Sequence, residues 1–109
     1  MANYYSLHNH TEYSNIRLID STNKIPSLID KAIEYGFKGL AITDHETISG
    51  HVTALKYMEK KKVPNDFKLI LGNEIYLING NAEDLKENYK PGMGSLFYHY
   101  ILLALDDIG

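Results

Sequence analysis

An α/β fold is the class this sequence predicts, and three observations carry it. Runs of strand length begin at Tyr4, Gly39, Lys68 and Tyr98, spaced by 35, 29 and 30 residues, which fits successive strand–helix units of about 30 residues. Between the first two, Ile25, Leu28, Ile29, Ala32 and Ile33 recur at helical spacing. Gly39–Thr43 is apolar throughout, as in a strand covered on both faces of a parallel sheet. The pattern describes an α/β sheet or a partial barrel.

The elements follow in order. Tyr4–Leu7 is a β-prone run that opens into the polar His8-Asn9-His10-Thr11-Glu12. The first helix carries the Ile25–Ile33 stripe, with Pro26 in its first turn and Gly36 just past its end. Gly39–Thr43 is the second strand and ends in Asp44-His45-Glu46. A second helix starts near Thr47 or Ser49, either able to cap it, and turns Val52, Leu55 and Met58 inward. Lys60-Lys61-Lys62 suits the negative end of that helix, as a solvated end and not a nucleic-acid patch, and Pro64 closes it. Lys68–Leu71 and Ile75–Ile78 read as strand interrupted by Gly72-Asn73-Glu74. Residues 81–89 form a short helix candidate, and Tyr98–Leu105 the last strand. Asn79-Gly80 is also a good hairpin turn, so the join between the third and fourth strands is open to either crossover or hairpin. Residues 79–95, rich in Asn, Gly and charge, are expected to be a mobile loop.

Composition excludes several functions. With 109 residues and 44% apolar, the chain holds one domain at most. Eleven Lys and Arg against fourteen Asp and Glu, a net charge of -3, lack the basic excess that holds nucleic acid by charge alone. No cysteine is present, so disulfides, a thiolate nucleophile and Cys-ligated zinc or iron–sulfur sites are out. No apolar run approaches the roughly 20 residues that span a bilayer, and the start Met1-Ala2-Asn3 carries no leader pattern. A cytoplasmic protein without membrane contact is expected.

Four of the five histidines, His8, His10, His45 and His99, fall at strand ends or edges. In an extended segment, His8 and His10 point to the same side and can reach one metal ion. Alone the pair is weak, but with His45 after strand two, Glu74 in strand three and His99 in strand four it becomes an inventory of imidazoles and carboxylates. Such a set suits Zn²⁺, Mn²⁺ or Fe²⁺ in multinuclear hydrolytic sites, where cations about 3.5 to 4 Å apart clamp a phosphate. His51, inside the second helix, reads as a surface histidine. Gly92-Met93-Gly94-Ser95 lacks the Lys and following helix of a phosphate loop. The nine tyrosines read as packing, and Asp106-Asp107 as a polar turn.

Leu7-His8-Asn9-His10-Thr11-Glu12-Tyr13-Ser14, Ile42-Thr43-Asp44-His45 with Ser49-Gly50, Gly72-Asn73-Glu74, and His99 within Tyr98–Leu103 resemble, in order, the first motifs of the PHP (polymerase and histidinol phosphatase) domain. Residues 14–21 and 39–46 are most similar to the form of that domain found at the N-terminus of bacterial and phage DNA polymerase III alpha subunits. The resemblance implies a distorted (β/α)7 barrel, of which residues 1–109 would be the first half, and a centre of up to three divalent metal ions. It makes His8, His10, His45 and His99 ligands and Glu74 a bridging carboxylate, and it places Asp20 at an acidic ligand position. Asp44 would orient a ligand through a hydrogen bond. Arg17 suits an exposed salt bridge better than a phosphate contact.

Family members add a further histidine or cysteine ligand and an Asp-x-His motif that this sequence lacks after His99. The resemblance therefore implies part of a longer replicative polymerase, a nucleotidyltransferase with a metal-dependent phosphoesterase site of 3′–5′ exonuclease type. The 109 residues alone are expected to be inactive. DNA and other replicase subunits would be partners, and exposed strand edges would favour self-association. A separate PHP phosphoesterase acting on a small phosphate, such as histidinol phosphate, and a non-catalytic PHP scaffold are the alternatives. No catalytic residue is assigned.

Overall fold

In a computed structural model, residues 3–16, 18–88, 97–106 and 108 are described. Strand β1 (Tyr5–Ser6) leads through a 3-10 turn at Glu12–Ser14 to helix α1 (Ile25–Glu34), strand β2 (Gly39–Ile42) and helix α2 (Ser49–Lys60). Strand β3 (Lys68–Leu77), helix α3 (Ala82–Asn88) and strand β4 (Tyr98–Leu103) follow. The sheet order is β1-β2-β3-β4, with the first two pairings parallel and the last antiparallel. The architecture is α/β, a curled four-stranded half-barrel. The open choice between β3 and β4 resolves to antiparallel pairing, with Leu77 opposite Tyr98.

The expected break in β3 at Gly72-Asn73-Glu74 does not occur; one ten-residue strand runs through it. What changes there is the partner. Lys68–Leu71 pair with β2, and Gly72–Leu77 pair with β4, so backbone groups at the polar residues stay bonded. Gly72 permits this change, because a Cβ there would lie 2.5 Å from the Leu102 carbonyl oxygen.

α1 buries Ile25, Ile29 and Ala32 against Leu40 and Ile42 of β2, with Ala54 and Phe67 completing the core. Pro26 in its first turn and Gly36 at φ 76 bound the helix, as its sequence signals require. α2 departs from expectation. Val52 and Leu55 are 57% and 49% exposed, whereas Gly50 and Ala54 are buried and Met58 is half-buried. Small residues let the helix approach closely: a Cβ on Gly50 would stand 3.1 Å from Ile25 Cδ1. The packed stripe is therefore offset from the most apolar one. Neither Thr47 nor Ser49 is the N-cap; that position is Ile48, and the Thr47 hydroxyl accepts from the Ser49 N–H.

The lysine triplet is exposed, as expected, and within it Lys61 also joins the two helices. Lys61 Nζ and Tyr57 Oη both donate to Asp30 Oδ1 at 2.5 Å, tying α2 to α1. Of residues 79–95, 82–88 form α3, while 89–95, with the Gly92–Ser95 segment, lie outside the described residues, as does Arg17.

Candidate metal centre

Three loops and two strands bring the candidate residues together. The His8-Asn9-His10 segment leaves β1 extended, so both imidazoles face one side and Asn9 the other. Asn9 is held there by its side chain and backbone, the carbonyl accepting from the Thr43 N–H and hydroxyl. Its Nδ2 donates to the Ser6 and Ala41 carbonyls, its Oδ1 accepts from Ser6 Oγ, and its backbone N–H donates to Thr43 Oγ1. These tie the histidine pair to the end of β2.

Asp44 fixes the next residue. It is 1% exposed, and its two oxygens accept from the Thr11 N–H and hydroxyl, which anchors the residue after His10 beside the residue before His45. Further on, Asn15 Oδ1 accepts the backbone N–H groups of Asp20 and Ser21, and Ser21 Oγ donates to the His10 carbonyl. This loop delivers Asp20 to His10. After β2, the chain turns at Glu46 (φ 57), and His45 pairs with Glu74 in an isolated parallel bridge. Asn73 Nδ2 braces that turn through the Asp44 and Thr47 carbonyls.

Glu74 is the hub. Nε2 atoms of His8, His10 and His45 lie 3.4, 2.5 and 3.3 Å from its Oε2, and His99 Nδ1 lies 3.1 Å from Oε1. Asp20 Oδ2 stands 2.7 Å from His10 Nδ1, and its Oδ1 3.9 Å from His45 Nε2. His8, His10, Asp20, His45, Glu74 and His99, all six residues singled out in the sequence, thus meet. His51 does not join them. It is half-buried and its Nε2 stands 2.8 Å from the Gly72 carbonyl, so it supports β3 and is no free surface histidine.

The donors form three overlapping groups: His8, His10 and Glu74; His10, Asp20 and His45; and His45, Glu74 and His99. Within each, one donor atom per residue lies within 4.8 Å of the others. Four imidazoles and two carboxylates without thiolate match divalent transition metals. Three ring nitrogens converge on one carboxylate oxygen, and His8 Nε2 and His10 Nε2 stand only 3.2 Å apart, a crowding of nitrogen and oxygen donors that a cation would bridge. The residues fit a metal centre.

Charge supports the arrangement. Burial alone would raise the Glu74 carboxyl, but hydrogen bonds from His99 and His10 and the charge of His45 and His10 outweigh it and hold it below the ordinary carboxylate value. Asp20 is likewise lowered: burial opposes, while a hydrogen bond from Ser14 and the charges of His10 and His45 prevail. Glu74 is the sheltered floor, whereas the His8 and His99 side chains are 56% and 53% exposed at the rim.

Sequence reasoning passed over Asn9, Asn15, Asn73 and Tyr76. A signal existed for Tyr76, two residues from Glu74 on a strand and so on its face. Nothing local marks Asn15, whose role depends on how the loop folds back.

Known proteins resemble this chain. The sequence profile of the PHP domain matches residues 6–109. A DNA-directed DNA polymerase of Bacillus phage SPbeta is 47% identical over 106 residues, which cover 94% of this chain and 8% of that polymerase. The DNA polymerase III subunit alpha of Aquifex aeolicus is 32% identical over 108 residues, 97% of this chain and 9% of its own length. The chain therefore spans under a tenth of these relatives. Among solved structures, one described as a metal-dependent phosphoesterase from Bifidobacterium adolescentis superposes with a TM-score of 0.58 at 32% identity. The match covers 72% of this chain and 24% of that protein. Among the described residues, no helix is long and apolar enough to cross a membrane.

Proposed function

This chain belongs to the PHP domain family, and from that premise we propose that its histidine–carboxylate cluster is a divalent metal centre for phosphoester hydrolysis within a replicative DNA polymerase. The convergence of His8, His10 and His45 on Glu74 Oε2 carries the proposal. Zinc, manganese or iron suits the donors, with up to three ions. Glu74 serves two of the three groups as a shared carboxylate, His10 and His45 link them to Asp20, and His99 closes the third. Bound there, the ions would supply Lewis-acid neutralisation of a phosphodiester's oxygens.

The chain's own residues do the positioning. Asn9 and Asp44 hold the two histidine loops in register, and Asn15 delivers Asp20. His8 and His99 line the exposed rim, where a DNA 3′ end would enter. Polymerisation would reside elsewhere in a protein of the relatives' length, with DNA and other replicase subunits as partners. Residues 1–109 would then be the N-terminal part of the PHP domain. A second reading, a PHP phosphoesterase separate from any polymerase, is favoured by the Bifidobacterium structure alone.

The test is metal uptake. Elemental analysis of the full chain after exposure to zinc or manganese and desalting should find bound metal, and Glu74→Gln should remove most of it. Equal metal content in wild type and Glu74→Gln, or none in wild type, defeats the proposal.

A further inference from the structure

Tyr76 stands two residues beyond Glu74 on β3 and directly opposite His99 on β4, so all three side chains share one face. Its hydroxyl lies 3.0 Å from His45 Nδ1. The phenol ring lies nearly parallel to the His45 ring, at 5.8 Å and 18°, and meets His99 edge-on at 4.7 Å and 78°. One half-buried side chain therefore touches both imidazoles of the His45, Glu74 and His99 group.

His45 turns Nε2 toward Glu74 and leaves Nδ1 facing away from the hub. An imidazole that offers one nitrogen to a cation carries its proton on the other, and an acceptor for that N–H fixes tautomer and ring plane. At His10 the position is filled by the Asp20 carboxylate, 2.7 Å from Nδ1. At His45 a neutral phenol fills it, which orients the ring without adding negative charge.

We propose that Tyr76 is a positioning residue of the centre. Its Oη accepts the His45 Nδ1–H, which keeps the Nε2 lone pair aimed into the cluster, and its ring sets the planes of His45 and His99. The inference rests on the metal-centre reading above and adds to it the residue that organises one of the three donor groups.

The experiment compares wild type with Tyr76→Phe, which keeps the ring and loses the hydroxyl. Zinc affinity is read by competition with a chromophoric chelator, the His45 tautomer by long-range nitrogen–proton NMR on the zinc-loaded full chain, and folding by thermal denaturation. Wild-type His45 should carry its proton on Nδ1. Tyr76→Phe should bind zinc about tenfold more weakly, with the metal-free melting temperature unchanged. An Nε2–H tautomer in wild type overturns the inference without any variant. Unchanged zinc affinity in Tyr76→Phe overturns it too, whether or not the melting temperature falls, since a fall alone marks a packing role. A wild type that takes up no zinc is a different failure, because it removes the metal-centre reading itself and this inference with it.

Discussion

Asp44 grips Thr11 through both carboxylate oxygens, one on the backbone N–H at 2.5 Å and one on the hydroxyl at 2.7 Å, entirely out of solvent. The contact joins loops 33 residues apart in sequence, each carrying candidate ligands. Asp44→Ala would strand two buried donors, at a cost of about 3 kcal/mol. Urea denaturation of the metal-free chain checks this, and a loss below about 1 kcal/mol would show that the pair is dispensable.

The core and the apolar face of α2 should respond oppositely to truncation. Ile29, fully buried, should lose about 3 kcal/mol as Ile29→Ala. Val52→Ala should change stability by less than about 0.5 kcal/mol, since Val52 is mostly exposed. Equal losses in denaturant midpoints would restore the inward Val52 that the sequence suggests.

At Gly72 a methyl group would collide with the Leu102 carbonyl at 2.5 Å and crowd Leu103 Cδ2 and Thr43 Cγ2 at 2.9 Å. Gly72→Ala should destabilise by about 2 kcal/mol and loosen β4, seen as faster amide exchange at Ile101 and Leu103. At Gly80 nothing lies within 4 Å and only the positive φ of 89 resists, so Gly80→Ala should cost about 1 kcal/mol and leave β4 exchange unaltered.

The α1–α2 clamp predicts a pH dependence. Hydrogen bonds from Lys61 and Tyr57 hold Asp30 below the ordinary carboxylate value, and Asp30 in turn raises Lys61 and Tyr57. A lowered carboxyl contributes stability above its ordinary value and loses it as pH falls through the folded one. Raised Lys61 and Tyr57 contribute below their ordinary values and lose it as pH rises through the folded ones. Thermal melts should therefore show a small contribution from the clamp between the acid and alkaline limits, absent in Asp30→Asn. Lys61 is exposed and Asp30 and Tyr57 are only half-buried, so the effect should shrink in high salt.

His51 separates support from ligation. His51→Ala removes the bond to the Gly72 carbonyl yet touches no candidate ligand, so the number of zinc ions bound should stay the same while stability falls. A change in stoichiometry on elemental analysis would bring His51 into the centre.

What was legible in the sequence was what short-range periodicity encodes. Alternation in an extended loop put His8 and His10 on one side, and the Ile25–Ile33 stripe marked the buried face of α1. β3 misled because its polar Gly72-Asn73-Glu74 resembles a turn, and pairing with the distant β4, together with the His45–Glu74 bridge, keeps it a strand. On α2, hydrophobicity pointed to Val52 and Leu55, but close approach is set by side-chain size, so Gly50 and Ala54 face inward. The six candidate ligands were visible by residue type and motif. Their braces Asn9 and Asn15 were not, because a hydrogen bond to a backbone group depends on the path of the chain, and Tyr76 was marked only by its place two residues beyond Glu74 on β3.

The change of partner along β3 has one more consequence. Because side chains alternate with period two, sliding the strand by one residue would turn Glu74 to the helix side and bring Asn73 or Ile75 into the cluster. Neither offers a carboxylate. A bound cation would thus favour the correct pairing over a slipped one as the sheet assembles, and loading of the proposed centre would double as quality control on the fold.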